Sequence, residues 1–334
     1  MPEGDSLVRL AHRLDPVLSG RTLLRTDFRV PQWATLDLSG RTVDAVRPRA
    51  KYLLIQAGDL TVLSHLKMEG RWDVYTLTGQ GGGQAPRPSR PAQVPPPGPD
   101  GGRRRPRWAR PEWQARCVLQ TAEHQVVGFQ LGLLEVVPTA EVADRLGFLG
   151  PDLLDPGWED PGQAERLLAE SVRRLEQDPD RMIGTALLDQ RLVSGIGNIY
   201  RCETLLLAGL DPHRPVSSVP DLPGLVLMAR DLLRSNVPPA APAAGAQRTT
   251  TGVRPDPSAP YGVRVVVPAP RPAPAGRSLP GRRTPSYFVY RREREGCLRC
   301  RGPVRLEELS DSSAVQEEGS ALARQLWWCP HCQR

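Results

Sequence analysis

Hydrophobic and polar positions along the chain change period twice. Over residues 3–18, Leu7, Leu10, Ala11, Leu14, Val17 and Leu18 fall on one helical face, and Asp5, Arg9, His12 and Arg13 largely avoid it. This predicts one amphipathic helix, with Glu3 and Asp5 in the first turn, where the helix dipole favours acids, and Gly20 as its stop. Short β-like segments follow: RTLLRTDFRV, RTVDAVRPR, KYLLIQAG, LTVLSHL, RWDVYTL, RCVLQTAE and QVVGFQLGLLEVV. Many short strands in succession predict a sandwich or barrel. The SGRT at 19–22 returns at 39–42, the same turn chemistry used twice. From about residue 158 the period becomes helical, through GQAERLLAESVRRLEQ, TALLDQRLVSGIGNIYRCETLLLAGL and DLPGLVLMARDLLRSN. The middle stretch reads as helix, Gly-rich turn, helix.

Two stretches carry neither period. Residues 78–111 are rich in Gly, Pro and Arg, and residues 237–283 in Pro, Ala and Arg, and both are expected to be disordered insertions. The expected organisation is a first domain over 1–140, a helical domain over 141–236, the second insertion over 237–283, and a small terminal module over 284–334.

Composition narrows the class. A chain of 334 residues is long enough for two domains. No apolar run reaches the length of a membrane span, and no secretory signal is visible, so a cytoplasmic protein with reduced cysteines is expected. A formal charge of +7 and a pI near 9.4 favour a polyanionic partner.

Candidate chemistry is concentrated at a few places. Cys297-x2-Cys300 and Cys329-x2-Cys332 form two C-x2-C pairs that can close a tetrahedron of thiolates around one structural Zn2+. Two disulfides are the rival reading, disfavoured in the cytoplasm. His331 is expected to be a bystander, and Cys117 and Cys202 to be buried thiols. GIGN at 195–198 is either a tight interhelical turn or a phosphate site, made of free backbone N–H groups at a helix start with Asn198 as a further donor. SHLKMEGRW places Met68 at a turn tip, where it either folds back into the core or stands exposed as a wedge for a base stack. Lys51, read alone, is a strand-end charge, and His65 a core histidine. Pro2 suits the first turn of a helix; once Met1 is removed it is also a secondary amine with nucleophilic character.

Taken together, MPEGD, RAKYLLI, SHLKMEGRW, LLDQRLVSGIGNIYRCETLLLAGLDP and the four-cysteine end with RQLWWCPHCQ resemble, in order, the bacterial formamidopyrimidine-DNA glycosylase/endonuclease VIII family of DNA repair enzymes. The resemblance covers both ends and the middle of the chain and leaves out the two low-complexity stretches. It implies an α+β multidomain fold: an N-terminal helix on a two-layer β-sandwich, then a helix–two-turn–helix domain with a C-terminal β-hairpin zinc finger. It also implies a bifunctional glycosylase/AP lyase acting as a monomer on damaged duplex DNA, with the bacterial nucleoid. Pro2 would attack C1′ and form a Schiff base, followed by β,δ-elimination. Glu3 would be the catalytic acid/base and Lys51 would support the reaction beside the sugar. Asn198 and Arg324 would grip phosphates, and Met68 would fill the space left by the flipped base. The start PEGD, and TAEHQVVGFQLG without an Arg-Phe pair, resemble the endonuclease VIII branch, which prefers oxidised pyrimidines, while HLKMEG resembles the purine branch. The alternatives are an oxidised-purine glycosylase of the same family, a non-catalytic zinc-finger protein that binds damaged DNA, and an RNA-binding helix-turn module.

Overall fold

The computed structural model describes residues 2–77, 107–237, 248–267, 286–310 and 324–334. Its helices are α1 (Gly4–Leu18), α2 (Val142–Arg145), α3 (Pro161–Leu175), α4 (Ile183–Ala186), α5 (Asn198–Ala208) and α6 (Leu222–Ser235). Its strands are β1 (Arg25–Phe28), β2 (Ala45–Arg49), β3 (Tyr52–Ala57), β4 (Leu60–His65), β5 (Arg71–Thr76), β6 (Ala115–Gln120), β7 (His124–Phe129), β8 (Leu133–Pro138), β9 (Val253–Pro255), β10 (Val263–Val265), β11 (Arg305–Leu309) and β12 (Arg324–Trp328). The β-sandwich consists of two four-stranded sheets, with strand orders β1-β6-β7-β5 and β2-β3-β4-β8.

The chain divides into two compact units. One comprises Leu14–Val46 and Leu54–Ala140; the other comprises Met1–Arg13, Arg47–Leu53 and Glu141–Arg334. The first expected boundary, at residue 140, therefore holds only for the chain beyond it. The opening of α1 and the turn before β3 belong with the helical unit, because their backbones are hydrogen-bonded to it. Gly4 N–H donates to the Gly195 carbonyl at 2.8 Å, and Ala50 N–H donates to the Asp152 carboxylate at 2.6 Å.

In the β-rich unit, β4 and β7 are buried along most of their length, and Trp72 and Phe129 are fully enclosed. The stretch read as one strand, QVVGFQLGLLEVV, is two. β7 pairs with β5 and β6, whereas β8 pairs with β4 in the other sheet. The break is at Gln130, whose φ of 47° ends the extended run.

In the helical unit, α3 and α6 start at Asp160 and Asp221, whose carboxylates accept from the Gln163 and Gly224 N–H groups at 2.8 Å each. The expected long helix before the Gly-rich turn is a single turn, α4. Beyond it the Asp189 carboxylate accepts from the Arg191 N–H and pairs with Arg181 and Arg191, which competes with helical hydrogen bonding. Helices α5 and α6 then pack around Tyr200, Leu205, Leu225 and Leu232.

Residues 237–283 were expected to be disordered. Within them, 248–267 are ordered, with β9 paired antiparallel to β10. Val265 packs into the α6 core, and the Tyr261 hydroxyl donates to the Asp221 carbonyl at 2.5 Å, so this segment has buried partners that its composition hides. The expected insertion at 78–111 likewise ends early: Trp108 donates to Gln125 at 2.7 Å and meets Phe129 edge-on. The rest of both stretches lies outside the described residues.

The terminal module is not separate. The β11–β12 hairpin buries Leu326 and Trp327 together with Ile199, Cys202 and Leu206 of α5. No helix among the described residues is long and apolar enough to cross a membrane.

Trp72 is the largest fully buried side chain, and its indole N–H donates to Ser64 Oγ at 3.2 Å. Trp72→Ala is expected to lower unfolding free energy by about 3–5 kcal/mol. Urea denaturation checks this, and a change below about 1 kcal/mol would show that the site collapses around the smaller residue.

Candidate active site

Helix α5 begins at a glycine that is required for steric reasons. Gly197 precedes the first turn, and a Cβ built there would lie 2.6 Å from the Glu3 Cδ. Gly195, two residues earlier, has a φ of 93°, which favours glycine. The Glu3 carboxylate occupies the space these residues leave. Its Oε2 accepts from the Gly197 N–H at 3.0 Å and its Oε1 from the Ile199 N–H at 2.8 Å. The free N–H groups, read from the sequence as part of either a tight turn or a phosphate site, hold an anion of the protein itself, as the positive end of a helix favours.

Glu3 is fully buried. Burial raises its pKa above the ordinary carboxylate range, and Asp5 adds to this, while Arg248, Lys51 and the Ile199 N–H oppose it. A carboxyl so poised can hold a proton and release it. Pro2, half-buried, is its immediate neighbour in the chain.

Lys51 follows a strained turn. Ala50 has a φ of 52°, and its N–H is held by Asp152, which is itself buried and also accepts from Leu154 at 3.0 Å. The Lys51 ammonium is lowered to about 8, chiefly by burial and further by Arg324, with Glu3 pulling it back up. Lys51 thus feels the charges of both Glu3 and Arg324.

Asn198 is buried. Its Nδ2 donates to the Gln325 carbonyl at 2.8 Å, and its Oδ1 accepts from Arg201 Nη2. Arg201 Nη2 also donates to that carbonyl, at 2.7 Å. Both side chains of α5 therefore fix the residue after Arg324, which itself stands exposed at the start of β12. Met68 belongs to the β-rich unit. It is 62% exposed beside Lys67, whose φ is 48°, so it does not fold back into the core.

The Sγ atoms of Cys297, Cys300, Cys329 and Cys332 all lie within 4.8 Å of one another, with Cys297–Cys332 at 4.0 Å and Cys300–Cys329 at 3.4 Å. All four are free thiols. A tetrahedron with Zn–S bonds of about 2.3 Å has edges of about 3.8 Å, so the donor set and its spacing fit a metal ion. The Gly302 N–H pulls the Cys300 thiol down to about 7, towards the thiolate that binds metal. His331 is outside the group. Cys117 and Cys202 are buried, and burial pushes both thiols up.

Reading the chain alone missed Asp152, Arg201, Glu203 and Arg248, all of them buried polar groups in this unit. Several of their partners lie about a hundred residues or more away in sequence, beyond any local period. Only the polar run RTTT at 248–251, breaking a Pro/Ala-rich stretch, marked one of them.

A two-layer β-rich unit, a helix pair with a Gly-rich turn, and a hairpin whose four cysteines can hold a metal ion together define the fold of a DNA glycosylase. The sequence pattern of the formamidopyrimidine-DNA glycosylase N-terminal domain matches residues 1–130, and that of the formamidopyrimidine-DNA glycosylase H2TH domain matches residues 158–235. The chain is 37% identical over 337 residues to a protein of Streptomyces coelicolor named probable endonuclease 8 2, covering 100% of this chain and 94% of that protein. It is 34% identical to the DNA-(apurinic or apyrimidinic site) lyase Nei2 of Mycolicibacterium smegmatis, covering 100% of this chain and 99% of that one. The crystal structure of Lactococcus lactis formamidopyrimidine-DNA glycosylase, bound non-covalently to DNA containing an abasic site, shares the fold with a TM-score of 0.64 at 18% identity, over 99% of each chain. The chain belongs to the formamidopyrimidine-DNA glycosylase/endonuclease VIII family of DNA repair enzymes.

Lys51 and Lys67 are the only lysines, which makes titration direct. After 13C reductive methylation, the Lys51 signal, assigned with Lys51→Arg, is expected to titrate near 8. Glu3→Gln removes the anion that raises it, so the midpoint should move lower. A midpoint at the ordinary value of about 10.4 would contradict the burial of Lys51 in a charged site.

Proposed function

We propose that this chain is a bifunctional DNA glycosylase/AP lyase that removes oxidised pyrimidines from duplex DNA and cleaves abasic sites, acting as a monomer. The observation that carries the reading is the buried Glu3 carboxyl, held across the start of α5 between Pro2 and the charge of Lys51. The relatives named endonuclease 8 and AP lyase support it, as does the absence of an Arg-Phe pair in TAEHQVVGFQLG.

The chemistry follows from these groups. Removal of Met1, which lies outside the described residues, leaves Pro2 as a secondary amine. An N-terminal amine titrates near 8, so a usable fraction is unprotonated at neutral pH. Its nitrogen attacks C1′, the bond from C1′ to the base breaks, and the base leaves with a proton. Glu3, with its raised pKa, protonates the ring oxygen, the C1′–O4′ bond opens, and a Pro2 iminium remains. The iminium accepts the electron pair released when a C2′ proton is removed, and the 3′ phosphate departs. Loss of a C4′ proton then expels the 5′ phosphate. Lys51 stands beside Glu3 as a cation for the phosphates or the sugar. Arg324 binds the backbone around the extruded nucleotide, Asn198 anchors the strand that carries Arg324 through the Gln325 carbonyl, and Met68 fills the emptied stack.

One Zn2+ held by Cys297, Cys300, Cys329 and Cys332 would have no open position, so its contribution is structural. The cysteines lie at the open ends of β11 and β12, the hairpin that carries Arg324.

Borohydride trapping tests the reading, with duplexes carrying thymine glycol, dihydroxyuracil, 8-oxoguanine or an abasic site. An adduct mapped to Pro2 with the pyrimidine lesions and the abasic site is expected. Glu3→Gln should slow base release by about 100-fold or more while retaining DNA affinity. Trapping with 8-oxoguanine alone would move the chain to the purine branch. No adduct with any duplex would favour a DNA-binding protein without catalysis.

A further inference from the structure

Asp5 sits in the first turn of α1 with its side chain fully buried, two residues from the equally buried Glu3. The Asp5 charge opposes the ionisation of Glu3, and a buried carboxylate needs a partner. Arg248 supplies one from far along the chain. Its Nε donates to Asp5 Oδ2 at 2.9 Å and its Nη2 to Asp5 Oδ1 at 2.6 Å, a bidentate fork. The same Nη2 donates to Ser6 Oγ, and the guanidinium lies 5.4 Å from the centre of the Tyr200 ring. Arg9 adds a single contact to Asp5 at 2.8 Å from the helix surface.

Arg248 is itself rigidly mounted. It opens the run Arg248-Thr249-Thr250-Thr251. The Thr249 N–H donates to Asn236 Oδ1 at 2.8 Å, at the end of α6. The Thr250 N–H donates to the Ser286 carbonyl at 2.9 Å, and its hydroxyl to the buried Glu203 of α5 at 2.5 Å. Glu203 also accepts the Phe288, Val289 and Tyr290 N–H groups. A strut fixed at three points therefore ends in a fork closed on the first turn of α1.

We propose that Arg248 is a positioning residue for the N-terminal reaction centre: through Asp5 it clamps the start of α1, and so Pro2 and Glu3. This rests on the glycosylase/AP lyase reading. Arg248 remains charged although buried, since Asp5, Tyr200 and Glu3 hold its proton. The charged and titratable groups facing Glu3 are Asp5 of α1, Lys51 before β3, Tyr200 and Arg201 of α5, Arg248, and Tyr287 and Tyr290 before the hairpin. Among these cations, Arg248 is the one that also grips, through a fork, the helix that Glu3 leads into.

The test is single-turnover Schiff-base formation on an abasic duplex, measured against pH with the full-length zinc-loaded protein. Arg248→Gln is expected to slow it by about tenfold or more. Loss of a cation beside a carboxyl favours its protonated form, so the acid limb should move to higher pH. Affinity for a duplex carrying an uncleavable tetrahydrofuran site should stay within about threefold, because no phosphate contact is assigned to Arg248. Arg248→Lys keeps the charge without the fork, so it should return the limb to its wild-type position while remaining slower. Wild-type rate and limb in Arg248→Gln would overturn the proposal, and so would a slowing matched by an equal loss of duplex affinity. If Arg248→Gln does not fold, Arg248→Lys decides: slow trapping with the wild-type limb supports the clamp, and a wild-type rate refutes it. Failure of the wild-type protein itself to trap an abasic duplex would instead refute the functional reading.

Discussion

The hydrogen bonds from the start of α5 to the Glu3 carboxylate tie the beginning of the chain to its middle. Helix starts leave N–H groups unpaired and carry partial positive charge. Here those groups are satisfied by a residue almost two hundred positions away, and the only side chain small enough at the contact is that of Gly197. Three consequences follow from this one contact. The first turn of α1 belongs to the helical unit, Glu3 is removed from water with its pKa raised, and Pro2 has a fixed neighbour.

Around that contact, the helical unit is held by buried polar groups whose hydrogen bonds are largely satisfied. Asp152 fixes the turn before Lys51, Asp5 is closed by Arg248, and Glu203 gathers three backbone N–H groups of the segment leading to the cysteines. Asn198 and Arg201 share the Gln325 carbonyl. Each of these is a buried charge or amide that costs several kcal/mol when one partner is removed, so the groups constrain one another. The reaction centre proposed above, which needs an amine, an acid and a cation in fixed relation, would be served by such over-determined packing.

What was legible in the sequence depended on distance along the chain. The faces of α1, α3 and α6 and most strands are local patterns, and their boundaries follow from residues a few positions apart, such as Asp160 and Asp221 at the helix starts. The four cysteines are legible as a spacing motif, whereas Glu3, Lys51 and Arg324 stand out only through the family resemblance. Contacts of long range were not legible. Asp189 shortens α4 by pairing with side chains on either side of it, Gln130 splits one apparent strand between two sheets, and residues 248–267 are ordered by Asn236, Asp221 and the α6 core although their composition resembles a linker. The occupant of the α5 N-terminus stays open in the sequence for the same reason. A helix start advertises an anion site locally, but nothing local says which anion fills it.

The contact between Glu3 and Gly197 is open to a direct steric test, since one added methyl group would fall 2.6 Å from Glu3 Cδ and 2.7 Å from its Cγ. The measurement is the rate of borohydride-trappable Schiff-base formation by Gly197→Ala on an abasic duplex, with melting temperature and tetrahydrofuran-duplex affinity recorded alongside. If the reaction centre depends on Glu3 lying across the start of α5, the rate falls by about 100-fold while the protein stays folded and binds the duplex. A folded Gly197→Ala protein that traps at the wild-type rate would show that the position of Glu3 does not govern the chemistry.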